Sequence, residues 1–493
     1  MSDKQHDIKA TDNEKPNANV TILHEEIVSE EEQKIKKRAL RKITLHVLFP
    51  MSALYFMNYL DRGIIGNAKL GGIIEDLNMS SEQYNWCLSI FYFGYVLSDI
   101  PSNLMMRRFN GVYWISFLAF MWGSLTMVVA AVTNYAGLMV LRLFLGTFEA
   151  GFMAGALYFF AKWFTRRELG QRLGFYYSFS ALGAACGGLI AYGISTIPTH
   201  TLNTWQWLFL IEGCPAILLA LFILWFVPDK PETAKCLTED ERKMTVKYLM
   251  EDHSFQEKES FSWATAISVL REPKLYLFTF MMLIGLVPSH GTSLALPSLV
   301  DGMGNWGKAE SQALTTPPYI IQFITSIISG WISQRWIQRG YQMVLTDLFG
   351  VAGFLMLVVV PHHLIAVRYF AVCLAMIGTS GNTPVKAAWY THSFAGLSRR
   401  AIAVAIVEMV GNVVGGVIGG QIFYDPPNYT HGNAIALACH CLRIIGAIGM
   451  RLLLARENKR REKMTPEEKE REIAKYGGEA MAGDRHPDYR YVL

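Results

Sequence analysis

Long apolar runs separated by short polar connections dominate the pattern of this chain. A helix of about 20 apolar residues crosses roughly 30 Å of hydrocarbon. Only helices and closed barrels satisfy the backbone inside lipid, and barrel strands would be short and alternating. The runs here are long and continuous. They predict an all-α membrane protein with twelve transmembrane helices, near residues 43–62, 85–106, 113–132, 136–160, 173–194, 206–227, 274–296, 317–334, 343–361, 365–391, 401–423 and 433–454.

Charged residues make up only 17% of the chain and concentrate in three polar zones. The middle zone divides the predicted spans into two sets of six, a common plan for carriers with a site at mid-membrane. Within it, Thr238-Glu239-Asp240-Glu241 is a capping-box sequence that predicts the start of a short helix. We predict five regions: a disordered cytoplasmic tail at 1–42, a six-helix half at 43–227, a cytoplasmic loop at 228–272, a second six-helix half at 273–455 and a cytoplasmic tail at 456–493.

Basic residues predict the orientation of the spans. Positive charge directly before the first span favours a cytoplasmic N-terminus. Further basic residues fall in alternate connections, which fits an even number of spans with both termini in the cytoplasm; they include Arg107, Arg108, Arg166, Arg167, Arg335, Arg339, Arg399 and Arg400. The sequons at Asn78 and Asn428 fall in predicted outside loops, where glycosylation is possible. The first residues lack an apolar signal region, so we expect no cleaved signal peptide.

Ionisable residues inside a span are expensive and are functional candidates by default. Arg142 and Glu149 lie nearly two helical turns apart, so both side chains leave the same face of the fourth span. They fit either a proton-exchanging carboxyl with a modulating cation or a structural ion pair. Asp61 and Arg62 end the first span, and adjacent helical residues point in different directions. We therefore expect separate partners for them, with Arg62 either holding a carboxylate or anchoring at the interface.

The second half offers fewer candidates. Glu408 and Asn412 lie four residues apart on the eleventh predicted span and are positioned to line a cavity. Lys386, in the tenth span, either lines the same cavity or snorkels towards the cytoplasmic side. Glu212 in the sixth span is interpreted as having a structural partner. The prolines within predicted spans suggest kinks or broken helices, and they are Pro101, Pro215, Pro288 and Pro384.

Several kinds of chemistry find no support in the sequence. The seven cysteines lie mostly in apolar runs without framework spacing, so they are interpreted as packing residues. We find no metal-ligand spacing, no nucleophile–base arrangement and no phosphate-binding glycine loop. We therefore expect no enzyme activity, no cofactor, no metal and no nucleic-acid partner. Energy for transport would come from an ion gradient or from the gradient of the substrate itself.

A set of motifs in a fixed order runs through the predicted membrane region. On these motifs the chain resembles the major facilitator superfamily, and within it the fungal allantoate permease-like branch of the anion:cation symporters. The matching segments are Asn58-Tyr59-Leu60-Asp61-Arg62, Asp99-Ile100-Pro101-Ser102-Asn103, Arg142 to Gly151, Trp207 to Gly213, Leu296-Pro297, Gly304, Leu314 to Tyr319, Asn382-Thr383-Pro384 with Trp389, Asn412, and Arg456-Glu457-Asn458.

The resemblance implies two six-helix halves that alternate access to a central site, and symport of protons with a small organic anion across the plasma membrane. It implies proton coupling at Asp61 and Glu149. It implies that Arg62 and Arg142 either bind the substrate or modulate those acids, and we add Tyr59 and Asn412 as candidates for substrate binding. Cavity or gating candidates are Glu408, Lys386, Asp99 and Arg335.

The chain departs from the family pattern at four positions, which are Asp99, Ala154, Gln334 and His392. The alternatives are an exporter of an acidic metabolite and, in a different class, a membrane nutrient sensor that does not transport. No obligate protein partner is expected beside the bilayer, the substrate and protons.

Overall fold

The computed structural model describes residues 18–196, 202–253, 263–335, 338–394, 397–475 and 483–493. All regular elements in these ranges are helical. The first half contains helices α1 (Ala18–Ile43), α2 (Phe49–Leu70), α3 (Ile73–Asp76), α4 (Ser81–Arg108), α5 (Gly111–Val129), α6 (Tyr135–Ala161), α7 (Arg166–Ser195) and α8 (Thr204–Phe226). A π-helical turn at Thr44–Leu48 joins α1 to α2 without a break.

The rest of the chain follows the same plan. The central segment carries a short 3₁₀ turn (Pro231–Thr233), α9 (Glu239–His253) and α10 (Trp263–Leu270). The second half contains α11 (Pro273–Asp301), α12 (Lys308–Ala313), α13 (Thr316–Arg335), α14 (Arg339–Val359), α15 (Ile365–Ser380), α16 (Thr383–Ser393), α17 (Leu397–Ile422) and α18 (Thr430–Glu462). Helix α19 (Pro466–Lys475) and a 3₁₀ turn (Gly483–Arg485) follow.

The helical membrane fold predicted from the apolar runs is confirmed. Within the described part of the chain, ten helices are long and apolar enough to cross a membrane. Helices α4 and α13 occupy the other two predicted spans, and the count of twelve crossings stays a prediction. The predicted tenth span is broken in two between α15 and α16, just before Pro384. A proline lacks the N–H that a continuous helix needs and disfavours a helical residue before it.

Capping residues fix several helix starts, one of which is predicted from the sequence. The backbone N–H of Thr238 donates to Oε2 of Glu241 at 2.9 Å, and the N–H of Glu241 donates back to Oγ1 of Thr238 at 3.4 Å. This confirms the predicted capping box before α9. The same reciprocal arrangement opens α4, where Ser80 pairs with Gln83. Each box satisfies two backbone N–H groups that would otherwise be unpaired at a helix start.

The N-terminal tail differs from the prediction of disorder over residues 1–42. Its backbone is helical through α1, and the remainder of the tail lies outside the described residues. The end of α1 is held in place because Ala39 is buried and Nζ of Lys42 lies 2.7 Å from Oε2 of Glu241 in α9. The polar residues of this tail therefore belong in part to a helix, and one side of that helix packs on the central segment.

The C-terminal segment also differs from a simple tail that begins at 456. Helix α18 continues without interruption to Glu462, and residues 483–493 fold back onto the second half. Asp484 is fully buried and forms ion pairs with Lys274 of α11 and Arg399 of α17. The indole N–H of Trp389 donates to the carbonyl oxygen of Val492 at 2.9 Å. This segment joins the ends of three helices.

Buried apolar side chains form two large clusters in each half, one towards the face that carries the 227–272 segment and one towards the opposite face. We call these the loop face and the opposite face. Along α2, the loop-face cluster ends at Tyr55 and the opposite-face cluster begins at Ile64. The same gap recurs along α6 between Phe152 and Leu138. Buried polar residues lie in these gaps, Asn58 and Asp61 on α2 and Arg142 and Glu149 on α6, and we call this level of the bundle the polar layer.

The two halves contact each other towards the opposite face. Oγ of Ser195 in α7 donates to Oε1 of Gln312 in α12 at 2.7 Å. Deeper in the bundle, Oγ of Ser89 in α4 donates to the carbonyl oxygen of Val417 in α17 at 3.2 Å. These contacts connect helices from different halves, so any rearrangement that opens this face must break them.

Candidate functional site

An ion pair between α2 and α6 forms the centre of the candidate site. The guanidinium of Arg62 donates through Nε to Oε1 of Glu149. Glu149 is 1% exposed. The guanidinium carbon also lies 5.3 Å from the ring centroids of Tyr59 and Tyr95. An arginine flanked by aromatic faces can bind a carboxylate, because its guanidinium presents a planar set of donors and stacks on planar groups. Here Glu149 occupies that position.

Arg142 lies on the same helix as Glu149 but makes different contacts. Its Nε donates to the carbonyl oxygen of Cys87 at 3.4 Å, and its guanidinium carbon lies 5.0 Å from the ring centroid of Phe91. The residue is 3% exposed. The cation that pairs with Glu149 is therefore Arg62. Arg142 lies against α4 instead, where it contacts Cys87 and Phe91.

Asp61 points away from its neighbour in the sequence. Both of its carboxylate oxygens lie within hydrogen-bonding distance of Oγ1 of Thr126 in α5, at 2.9 and 3.0 Å. Arg62 points to α6 instead. The expectation that these two residues have separate partners is confirmed, because consecutive helical side chains leave the axis about 100° apart.

The second half contributes a connected polar group at the same depth. The Tyr92 hydroxyl hydrogen-bonds with Nδ1 of His290 at 3.0 Å, which links α4 to α11 across the two halves. In α17, Nδ2 of Asn412 donates to Oε2 of Glu408 at 3.0 Å, and the Tyr390 hydroxyl donates to Oε1 of the same carboxylate. The predicted proximity of Glu408 and Asn412 is realised as a direct hydrogen bond.

Lys386 lies on the same side of the second half as Glu408. It is half-buried, is attracted electrostatically by Glu408, and lines a pocket with Met281, Trp389 and Tyr390. Cavity lining by Lys386 stays a prediction.

The remaining predicted residues lie away from this centre. Asp99 is half-buried on α4, one turn beyond Tyr95. Arg335 is exposed at the end of α13, and its guanidinium carbon lies 4.2 Å from the ring centroid of Trp331. The structure does not bring Arg335 to the ion pair. The side chain of Gln334 lies outside the described residues.

Asn78 is exposed in the turn before α4, and Asn428 precedes α18. Nζ of Lys69, at the end of α2, lies 5.9 Å from the ring centroid of Tyr429. This contact places both sequons near the opposite face.

Sequence reasoning missed three parts of the polar layer. His290 lies inside the predicted span 274–296, where a lone histidine is itself a functional signal. Asp347 in α14 pairs with Arg443 in α18, and both are buried. Nδ1 of His440 lies 2.8 Å from Oδ1 of Asp347. The general rule for intramembrane charges would have identified all three.

An all-helical bundle of two halves with charged side chains at mid-depth is a plan that many membrane transport proteins share. The model of the Major Facilitator Superfamily matches residues 51–420. The chain belongs to this superfamily. It is therefore a transport protein with many membrane-crossing helices, and not an enzyme.

Named relatives and solved structures agree with this assignment. The chain is 34% identical to the "MFS-type transporter cnsO" of Penicillium expansum, over 100% of this chain and 99% of that protein. It is 32% identical to the "MFS transporter prlL" of a fungal species, over 76% of each chain. A crystal structure of a bacterial homolog to the human lysosomal transporter Spinster, inward-facing and unoccupied, superposes with a TM-score of 0.63 at 16% identity, covering 82% of this chain and 96% of that one. At that identity the likeness shows the fold.

Proposed function

We propose that this transporter carries a small organic anion together with protons, as a member of the allantoate permease-like branch of the anion:cation symporters. In this proposal it acts in the plasma membrane with both termini in the cytoplasm. The halves at 43–227 and 273–455 move against each other to expose the polar layer to one side at a time. The anion is a carboxylate vitamin, a ureide or an amino-acid-like nutrient.

The observation that carries the proposal is the buried ion pair between Arg62 and Glu149. A carboxylate substrate competes with Glu149 for the same guanidinium, because both present two oxygens that accept charge-assisted hydrogen bonds. Substrate binding is favoured when Glu149 gains a proton, since the neutral acid releases its partner. Proton and anion binding then reinforce each other, which is the thermodynamic requirement for coupling.

Residues of the second half complete the binding site in this proposal. Tyr92 and His290 join the two halves by one hydrogen bond at the level of the ion pair. Glu408 is held by Tyr390 and Asn412, so its carboxylate already has donors. In this proposal the imidazole of His290 donates to the anion, and the hydroxyl of Tyr390 and the amide of Asn412 donate to it once they leave Glu408. Tyr59 and Tyr95 supply apolar faces on which the body of the substrate packs.

The proposal is tested with purified protein in liposomes and a panel of radiolabelled carboxylates that includes allantoate, nicotinate, pantothenate and biotin. An acidic exterior should drive uphill uptake of at least one of them. Glu149→Gln should retain exchange at equal pH but lose uphill accumulation. Arg62→Lys should raise the half-saturating concentration by roughly 10-fold or more, because a charge-assisted hydrogen bond contributes about 1.5–3 kcal/mol.

Glu82→Gln is the matched control, since Glu82 is an exposed carboxylate at the start of α4. It should behave as the unchanged protein. Uphill accumulation that persists in Glu149→Gln would contradict the coupling role. Transport of the anions only outwards would favour the exporter, and absence of transport by the folded protein would favour the sensor.

A further inference from the structure

Glu212 of α8 is a buried acid for which the described structure provides no partner. It is 4% exposed, and neither of its carboxyl oxygens has a hydrogen-bond donor among the described residues. Helix α8 contains no other ionisable side chain apart from the thiol of Cys214. A structural partner, expected from the sequence, is therefore missing for this group.

Close packing of α8 on α5 fixes where this carboxyl lies. A Cβ added to Gly213 would lie 2.9 Å from the carbonyl oxygen of Gly123, so the two backbones are nearly in contact. Thr126, three residues beyond Gly123 on the same helix, hydrogen-bonds with Asp61. Helix α8 therefore brings Glu212 next to this group, within electrostatic reach of Asp61.

The charges around Glu212 do not stabilise a second negative charge. Helix α5 carries no ionisable side chain besides the exposed Tyr113, and the described part of α7 that lies beyond Arg172 carries none besides tyrosines and a cysteine. On α2, Asp61 has the same sign, and Arg62 is already bound to Glu149. Arg142 on α6 faces the carbonyl oxygen of Cys87.

Three acids and two guanidinium groups thus share the polar layer of the first half; the acids are Asp61, Glu149 and Glu212. A buried carboxylate with neither a cation nor a donor is strongly disfavoured, and two adjacent carboxylates disfavour each other further. At least one of the three acids must hold a proton. Glu212 is the one that lacks every stabilising contact.

We propose that Glu212 is a proton-binding residue of the transport cycle, acting with Asp61 as a pair that stores and passes on the transported proton. The inference rests on the proposed symport function and adds a site to it. When the hydrogen bond between Thr126 and Asp61 breaks, the O–H bond of Glu212 breaks as an O–H bond forms on Asp61. Asp61 then passes the proton to the Glu149 carboxylate, and the carboxylate left on Glu212 takes a proton from hydronium in the water that enters as the halves part.

The first test needs no substrate. Infrared difference spectra of the liposome-embedded protein, recorded across a pH titration, report the carbonyl stretch of protonated carboxylic acids. Glu212→Gln should lose one such band relative to the unchanged protein, and Glu82→Gln should keep it. Equal bands in all three proteins would overturn the inference without touching the symport proposal.

The second test measures coupling with the panel carboxylate that gives the largest gradient-driven uptake. Glu212→Gln should exchange at equal pH within twofold of the unchanged protein and lose at least 10-fold in uphill accumulation. Full accumulation in this variant would mean that the proton on Glu212 is only structural, and would overturn the inference. If the unchanged protein shows no proton dependence, the symport proposal itself fails.

A third variant covers the case in which Glu212→Gln fails to fold. Thr126→Val keeps the shape of the side chain and removes the hydrogen bond to Asp61. It should shift the pH of half-maximal uptake while leaving the half-saturating substrate concentration within twofold. An unchanged pH profile would overturn the inference.

Discussion

Removal of Asp347 should destabilise the second half strongly, because it leaves a buried guanidinium without its counter-charge. Asp347 is 0% and Arg443 is 1% exposed. Nε of Arg443 lies 2.9 and 3.0 Å from the two carboxylate oxygens, and Nη2 donates to the same group and to the carbonyl oxygen of Gly378. In Asp347→Ala, the cation keeps only neutral partners, the Gly378 carbonyl and Nδ1 of His440, which lies 3.2 Å from Nη2.

The magnitude follows from this geometry. Breaking a buried ion pair by removing one partner costs about 3–5 kcal/mol, because the remaining charge stays desolvated. Loss of the acceptor for His440 adds the cost of an unmade hydrogen bond, about 1–3 kcal/mol. Partial relaxation of the guanidinium towards Gly378 offsets some of this. We expect a net loss of about 3–5 kcal/mol in the free energy of unfolding.

The measurement is a denaturation titration of purified protein in mixed detergent micelles, with thermal melting as a second readout. The double variant Asp347→Leu with Arg443→Met is the control, since it removes both charges and retains volume. It should recover most of the loss, because apolar replacement of a buried pair is often close to neutral. If Asp347→Ala unfolds like the unchanged protein, the pair contributes nothing and the reasoning is wrong.

Three further predictions concern packing, the C-terminal segment and topology. Gly146→Leu should destabilise the protein by about 1–3 kcal/mol in the same titration through overpacking, because even a Cβ there would lie 2.0 Å from the carbonyl oxygen of Phe91. Burial alone would raise the pKa of Asp484, but its two cationic partners hold that pKa below the ordinary aspartate value. The C-terminal segment should therefore resist carboxypeptidase at neutral pH, and its ion pairs should be lost only as the pH falls below the ordinary aspartate pKa. The variant Asp484→Asn should be digested faster than the unchanged protein at pH 7. Asn78→Gln and Asn428→Gln should each abolish one glycosidase-sensitive band on a gel, whereas a cytoplasmic location of these loops would leave the mobility unchanged.

Several parts of the fold can be predicted from the local amino-acid composition alone. The third span, predicted at 113–132, forms as α5, Gly111–Val129. Its nineteen residues carry no charge, so a membrane-spanning helix is favoured. The break before Pro384 follows from proline chemistry in the same way. Both depend on local composition, which does not require knowledge of neighbouring helices.

The pairing of charged residues could not be predicted to the same extent. Arg142 and Glu149 share a helix face, yet the cation that Glu149 meets comes from α2, because helix packing decides which of two nearby arginines reaches it. The helical part of the N-terminal tail was missed for a related reason. Its stability depends on burial of Ala39 and on the ion pair of Lys42 with α9, which only the folded chain provides.

The folded-back C-terminal segment has a practical consequence for the handling of this protein. Val492 already accepts a hydrogen bond from Trp389, and Leu493 packs against the apolar cluster of the second half. A fluorescent reporter or affinity handle fused directly after Leu493 would begin at residues that are packed against the second half, and it would disturb their contacts. A flexible spacer, or a fusion ahead of α1, leaves that surface intact.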